Sequence, residues 1–160
     1  MATLVTGTAT LKIEPCVKET PTSNWIDTIL GIEYHIQNQK FYIESPKKEI
    51  SIRVEGFNKL VQKSREYIKS LPVQGKTIED NPEPFYFYPL EQSFSLEIGS
   101  GSFFDESRLE GGIFVTFNMP LRSMNIEEIK LDSIGCTVWV TISDYLLFLD
   151  NLEQEVKAVK

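Results

Sequence analysis

The chain is short of the residues on which much protein chemistry is built. Its single histidine, His35, excludes a site that needs two or three imidazoles. Its two cysteines, Cys16 and Cys136, lie far apart in the sequence. A disulfide framework needs more of them, and a tetrahedral zinc site needs closely spaced thiol or imidazole partners. Cations are outnumbered, with 16 Lys and Arg against 23 Asp and Glu, for a formal charge of −7. That balance argues against nucleic acid or an anionic membrane as the main partner, because phosphate recognition needs clustered Lys and Arg. No uninterrupted apolar run approaches the roughly 18 residues of a bilayer span. The opening MATLVTGTATLKIEP lacks the basic region and continuous apolar stretch of a signal peptide. The expectation is a cytoplasmic protein with reduced thiols and no metal or cofactor.

What is present is ordinary globular material: 160 residues, 41% apolar and 24% charged. That length suits one domain, 1–160, with a real core, and no repeat, linker or low-complexity segment divides it. Period-two alternation marks strands. A stretch from Leu11 to Val17 ends near Pro15; Ile32, Tyr34 and Ile36 then alternate with Glu33, His35 and Gln37. FYIES follows as a hairpin partner, and Ile50, Ile52 and Val54 share a face. The period changes at Phe57, where Phe57, Leu60, Val61, Ser64, Ile68 and Leu71 form a helical stripe that Pro72 ends. Val73 to Pro84 reads as a loop, FYFY follows, and then Phe94, Leu96 and Ile98 alternate. Ile113, Val115, Phe117 and Met119 line the next strand, and Val138, Val140 and Ile142 the last. Ser143 as cap and Asp144 in the first turn open a second helix carrying Tyr145, Phe148, Leu149, Leu152, Val156 and Val159, with Lys157 and Lys160 at its end. The pattern predicts an α+β domain: a twisted antiparallel sheet of about six to seven strands, with helices near 56–71 and 143–158 packed on one face.

GSGSFFDESRLEGG, Gly99 to Gly112, is the stretch most suggestive of a site. A phosphate loop needs Gly-Lys-Ser/Thr at the start of a helix, and a dinucleotide fingerprint needs glycines entering one. Here the glycines run into a strand, and Arg108 is the only basic residue. Asp105, Glu106 and Glu110 lack the alternating ligands and central glycine of a calcium loop. The stretch is therefore read as a long hairpin connection whose glycines supply positive φ angles.

The remaining reactive residues are equally bland. His35 falls on the polar side of its strand with no local serine, cysteine or second histidine. Cys16 and Cys136 read as small buried or half-buried hydrophobes. Glu79, Asp80, Glu83 and Glu91 surround the aromatic run, as carboxylates do in any acidic protein. The unusual feature is aromatic content at positions that alternation exposes. PEPFYFYP holds four consecutive aromatics, of which only alternate ones can face one core. Trp139 and Phe114 point away from the apolar sides of their strands. Large aromatics on a free sheet face suit protein contact, so Trp139, Phe114, Tyr86 and Tyr88 are the candidate partner-binding residues.

NWIDTILGIEY, the helix FNKLVQKSREYIKSL, the strand SFSLEI and GGIFVTFNM together resemble small bacterial proteins of the WapI-like immunity type. The likeness lies in length, acidity, a Trp-Ile/Leu opening to an early strand, a Phe-x-x-Leu helix and a late Gly-x-Ile/Val strand, over roughly residues 11–156. It implies neutralisation of a cognate secreted toxin by direct binding, and it carries over no functional residue. The first reading is accordingly a non-catalytic binding protein, a monomer or weak homodimer, whose acidic surface engages a basic toxin domain. The alternatives are a small-molecule binder with an apolar pocket between sheet and helices, or an enzyme using carboxylates that the fold assembles.

Overall fold

Alternation in the first third of the chain resolves into five strands. A computed structural model describes residues 1–18, 20, 22–45, 50–75, 82–89, 94–120 and 133–159. In it β1 (Ala2–Val5), β2 (Ala9–Lys18), β3 (Trp25–Ile36), β4 (Gln39–Glu44) and β5 (Ser51–Arg53) form one antiparallel sheet in the order β1-β2-β3-β4. β3 is long enough to hold two partners on one edge: Gly31–Ile36 pairs with β4, and Trp25–Asp27 pairs with β5. Leu4, Leu11, Ile13, Leu30, Ile32 and Ile52 from this sheet are buried. The register of β2 on β3 slips between Pro15 and Val17, so Cys16 is the extra residue of a bulge. Its thiol is exposed, contrary to the burial expected for it.

α1 (Val54–Ser70) carries the chain from the first sheet to a second. Phe57, Leu60, Val61, Ser64 and Ile68 are buried at the predicted spacing, Tyr67 is buried beside them, and Leu71 of the predicted stripe is buried at the C-cap, outside the helix. β6 (Phe85–Phe87), β7 (Ser95–Phe103), β8 (Gly111–Pro120) and β9 (Ser133–Thr141) then pair in sequence order as a four-stranded antiparallel sheet. α2 (Ile142–Ala158) follows β9 without a loop and buries Ile142, Tyr145, Phe148, Leu149, Leu152 and Val156. Its N-cap is Thr141, whose hydroxyl accepts the Asp144 amide at 3.0 Å; the predicted cap, Ser143, already lies inside the helix. Lys160 and residues 76–81 of the predicted loop lie outside the described residues.

The single sheet of six to seven strands is thus corrected to two sheets, of five and four strands. Alternation tells which side of a strand is apolar; it does not tell which strands share hydrogen bonds. The expected placement of both helices on one face of one sheet changes accordingly. α2 packs on β1 and β2 of the first sheet and on β8 and β9 of the second, and α1 touches β5 and β6. Buried residues of both sheets and both helices form one continuous cluster. Inside it the Ser64 and Tyr145 hydroxyls meet at 3.2 Å, joining the two helices through a bond shielded from water. Burial pushes the Tyr145 phenol well above its ordinary pKa. At the far end of β3, the Tyr34 hydroxyl donates to the Gly135 carbonyl of β9 at 2.9 Å and ties the sheets together. Among the described residues, no helix is long and apolar enough to cross a membrane.

Candidate functional site

The inward positions of the second sheet, Leu96, Ile98, Ile113, Val115, Phe117, Met119, Val138 and Val140, are all buried. Strand alternation therefore fixes the outward set. Phe114 and Trp139 are direct cross-strand partners on β8 and β9, and they are 47% and 50% exposed. Tyr86 and Tyr88, at the opposite edge, are 52% and 64% exposed, and their rings stack at 6.4 Å with an interplanar angle of 15°. All four predicted residues thus stand about half or more out of the core, in two pairs.

One rung of the ladder runs Tyr86, Glu97, Thr116, Thr137, so a polar strip separates the aromatic pairs. Thr116 and Thr137 share a hydroxyl bond of 2.8 Å, and Asn118 donates to Ser95 at 3.4 Å. Tyr86 lies across from Glu97, whose negative charge raises the phenol pKa and keeps the hydroxyl protonated. The strip and the aromatics include one carboxylate and no cation. Such a face offers apolar area, donor hydroxyls and a negative charge, the ingredients of a protein contact.

Trp139 has a second role that the sequence did not disclose. A methyl placed on Gly112 would fall on its indole ring atoms. Gly112 lies opposite Thr141, two residues along β9 from Trp139, so the ring crosses the ladder diagonally and covers the bare glycine. Tyr42 covers Gly31 in the first sheet by the same diagonal. The cue was a glycine inside an alternating strand, but only the register identifies the ring that covers it.

The glycine-rich stretch is a connection, although a shorter one than expected. Gly99 and Gly101 belong to β7, and Gly111 and Gly112 to β8, leaving 104–110 as the turn. Its positive φ falls on Arg108, at 54°, and not on a glycine. The glycines serve close approach instead: a methyl on Gly101 would lie 2.5 Å from the Gly112 carbonyl oxygen. Asp105 accepts the Ser107 amide at 2.9 Å, which uses its carboxylate within the turn. Among the described residues no three His, Cys, Asp or Glu side chains are grouped to hold a metal. Replacing Asp105, Glu106 and Glu110 by Asn, Gln and Gln is expected to change stability by no more than about 0.5 kcal/mol. Calcium or magnesium should leave Tm unchanged; a metal-dependent rise of several degrees would overturn the turn reading.

Among the other candidates, His35 bonds Glu33 at 2.8 Å and approaches Thr10 at 3.4 Å, in a surface network with Lys40. Cys136 is half-buried as expected, and burial pushes its thiol up to about 11, far from nucleophilic. Glu79, Asp80 and Glu91 lie outside the described residues. A cleft of about 410 Å³ opens between α1, the first turns of α2 and the β7–β8 turn. Phe103, Ile142 and Leu146 form its apolar part, and Lys69 and Arg108 stand beside them.

Fold and face together define an α+β protein of two antiparallel sheets joined through a helix pair, with an aromatic outer face on the second sheet. No protein-family model, no curated protein and no solved structure matches the chain.

Proposed function

We propose that the chain is a non-catalytic binding protein that engages a basic protein partner through the outer face of the second sheet. The form of that role in keeping with the WapI-like pattern is an immunity protein that neutralises a bacterial toxin. The observation that carries the reading is the arrangement of Phe114, Trp139, Tyr86 and Tyr88, all half exposed on one regular face around Glu97. The net charge of −7 supplies long-range attraction toward a cationic partner.

The two contributions separate kinetically. Attraction between net charges acts before contact and is screened beyond about 8–10 Å at ordinary ionic strength. Desolvated aromatics act after contact and set the dissociation rate. Against a cationic toxin encoded by a neighbouring gene, the partner to test, raising salt should therefore lower the association rate about tenfold or more. Trp139→Ala should leave association nearly unchanged and speed dissociation about thirtyfold, the scale of an interface hot spot. Failure of any neighbouring gene product to bind would remove the immunity reading. Binding that ignores Phe114→Ala and Trp139→Ala alike would move the contact to another face.

A further inference from the structure

The cleft between the helices and the β7–β8 turn combines two features that a surface depression does not need. Its apolar part is made by Phe103, Ile142 and Leu146, with Leu109 at the rim, 75% exposed. Beside these stand two cations with no carboxylate in ion-pair contact among the described residues, Lys69 and Arg108. Arg53 and Lys59 also lack such a contact among the described residues, but neither lines this cleft. Arg65, on the same wall, shows the ordinary alternative: it is held by Asp150 at 2.6 Å and Glu153 at 2.9 Å.

The backbone brings both residues to the C-terminal end of α1. Lys69 sits in the last turn of α1, where the negative end of the helix dipole favours a positive charge. Arg108 donates from Nη1 to the Lys69 carbonyl at 3.0 Å, satisfying a carbonyl of that last turn, and lies 5.3 Å above the Phe103 ring. One guanidinium N–H is thereby used, and the others have no hydrogen-bond partner among the described residues. The result is a cationic end on an apolar slot. A volume of about 410 Å³ falls within the usual range for small-molecule sites.

We propose that this cleft binds an anionic amphiphile, a single carboxylate head group on an unbranched acyl tail. The head group lies between Lys69 and Arg108, and the tail lies along Phe103, Ile142 and Leu146. Charge complementarity selects the anion, because a carboxylate placed between two cations gains charge-assisted bonds. The apolar wall selects the tail. A free inorganic anion would leave that wall wet, and a neutral lipid would leave the cations unpaired. The site is separate from the aromatic face of the second sheet and does not depend on any protein partner.

The test uses the full chain with octanoate, decanoate, decanol and acetate, each below its micelle concentration, followed by calorimetry and by backbone amide NMR shifts. Decanoate should bind saturably and perturb the amides of Ile68, Phe103 and Ile142. It should exceed octanoate by about fourfold for each of its two extra methylenes. Decanol should bind at least about tenfold more weakly, and acetate should not saturate below about 1 mM. Lys69→Gln, at an exposed position, should weaken decanoate about tenfold while leaving decanol unchanged. Equal affinity for decanoate and decanol, indifference to Lys69→Gln, or amide shifts confined to the second sheet's outer face would each overturn the assignment. So would the absence of saturable decanoate binding below about 1 mM.

Discussion

Leu149→Ala is expected to lower the free energy of unfolding by about 2–5 kcal/mol, against a total of about 5–15 kcal/mol for a domain of ordinary stability. Leu149 is fully buried on α2, and α2 packs on strands of both sheets. Truncation there removes apolar contact and leaves a cavity that neither sheet can close without moving against the other. The cost should therefore fall in the upper half of that range. Denaturant unfolding of the two proteins checks it. A loss of only about 0.5 kcal/mol, the scale of surface changes, would mean that the helix does not lie between the sheets.

That helix was legible because its signal is local. Leu149, Leu152 and Val156 recur at a period that only a helix turns to one side, and all three are buried; Val159, the last of the predicted stripe, is half-buried at the C-cap. The same holds for Phe57, Leu60, Val61 and Ile68 on α1. The inward faces of the later strands were legible for a like reason: Ile113, Val115, Phe117 and Met119 alternate without a break. β1 went unread because Ala2–Val5 is four residues long, and its buried positions are Ala2 and Leu4 alone, too short a pattern to separate from a tail. The division into two sheets was not legible at all. Ile52 and Leu96 look alike as strand residues, yet one pairs toward β3 and the other toward β6 and β8. Pairing depends on where α1 delivers the chain, which no local pattern records.

The candidate site divides along the same line. Exposure of Trp139 and Phe114 followed from alternation, and that of Tyr86 from its place beside Phe85 and Phe87. Their cross-strand pairing and the Glu97 strip between them follow from register, which a sequence fixes only through its turns. The cleft is farther still from sequence. Lys69, Arg108 and Ile142 are separated by dozens of residues, and Lys69 and Arg108 meet through a backbone carbonyl that carries no side-chain signature.

Two glycines test whether register or mere flexibility explains the glycine-rich stretch. A methyl at Gly101 meets the Gly112 carbonyl oxygen at 2.5 Å and the Ile113 Cα at 3.0 Å. Those are backbone atoms of the paired strand, so no side-chain rotation relieves the collision. Gly101→Ala should cost about 3 kcal/mol, the upper end of the range for overpacking, as β7 and β8 separate. The three nearest neighbours of a methyl at Gly112 are all atoms of the Trp139 indole. That ring can rotate outward into solvent, so Gly112→Ala should cost only about 1 kcal/mol. The loss should be accompanied by a red shift of indole emission in a Trp25→Phe background, where Trp139 is the only tryptophan left. The displaced ring also leaves the position proposed for partner contact. Gly112→Ala should therefore speed dissociation of a partner much as Trp139→Ala does, while the domain stays folded. Equal destabilisation by the two glycine substitutions, with indole emission unchanged, would show that the ring does not rest on Gly112.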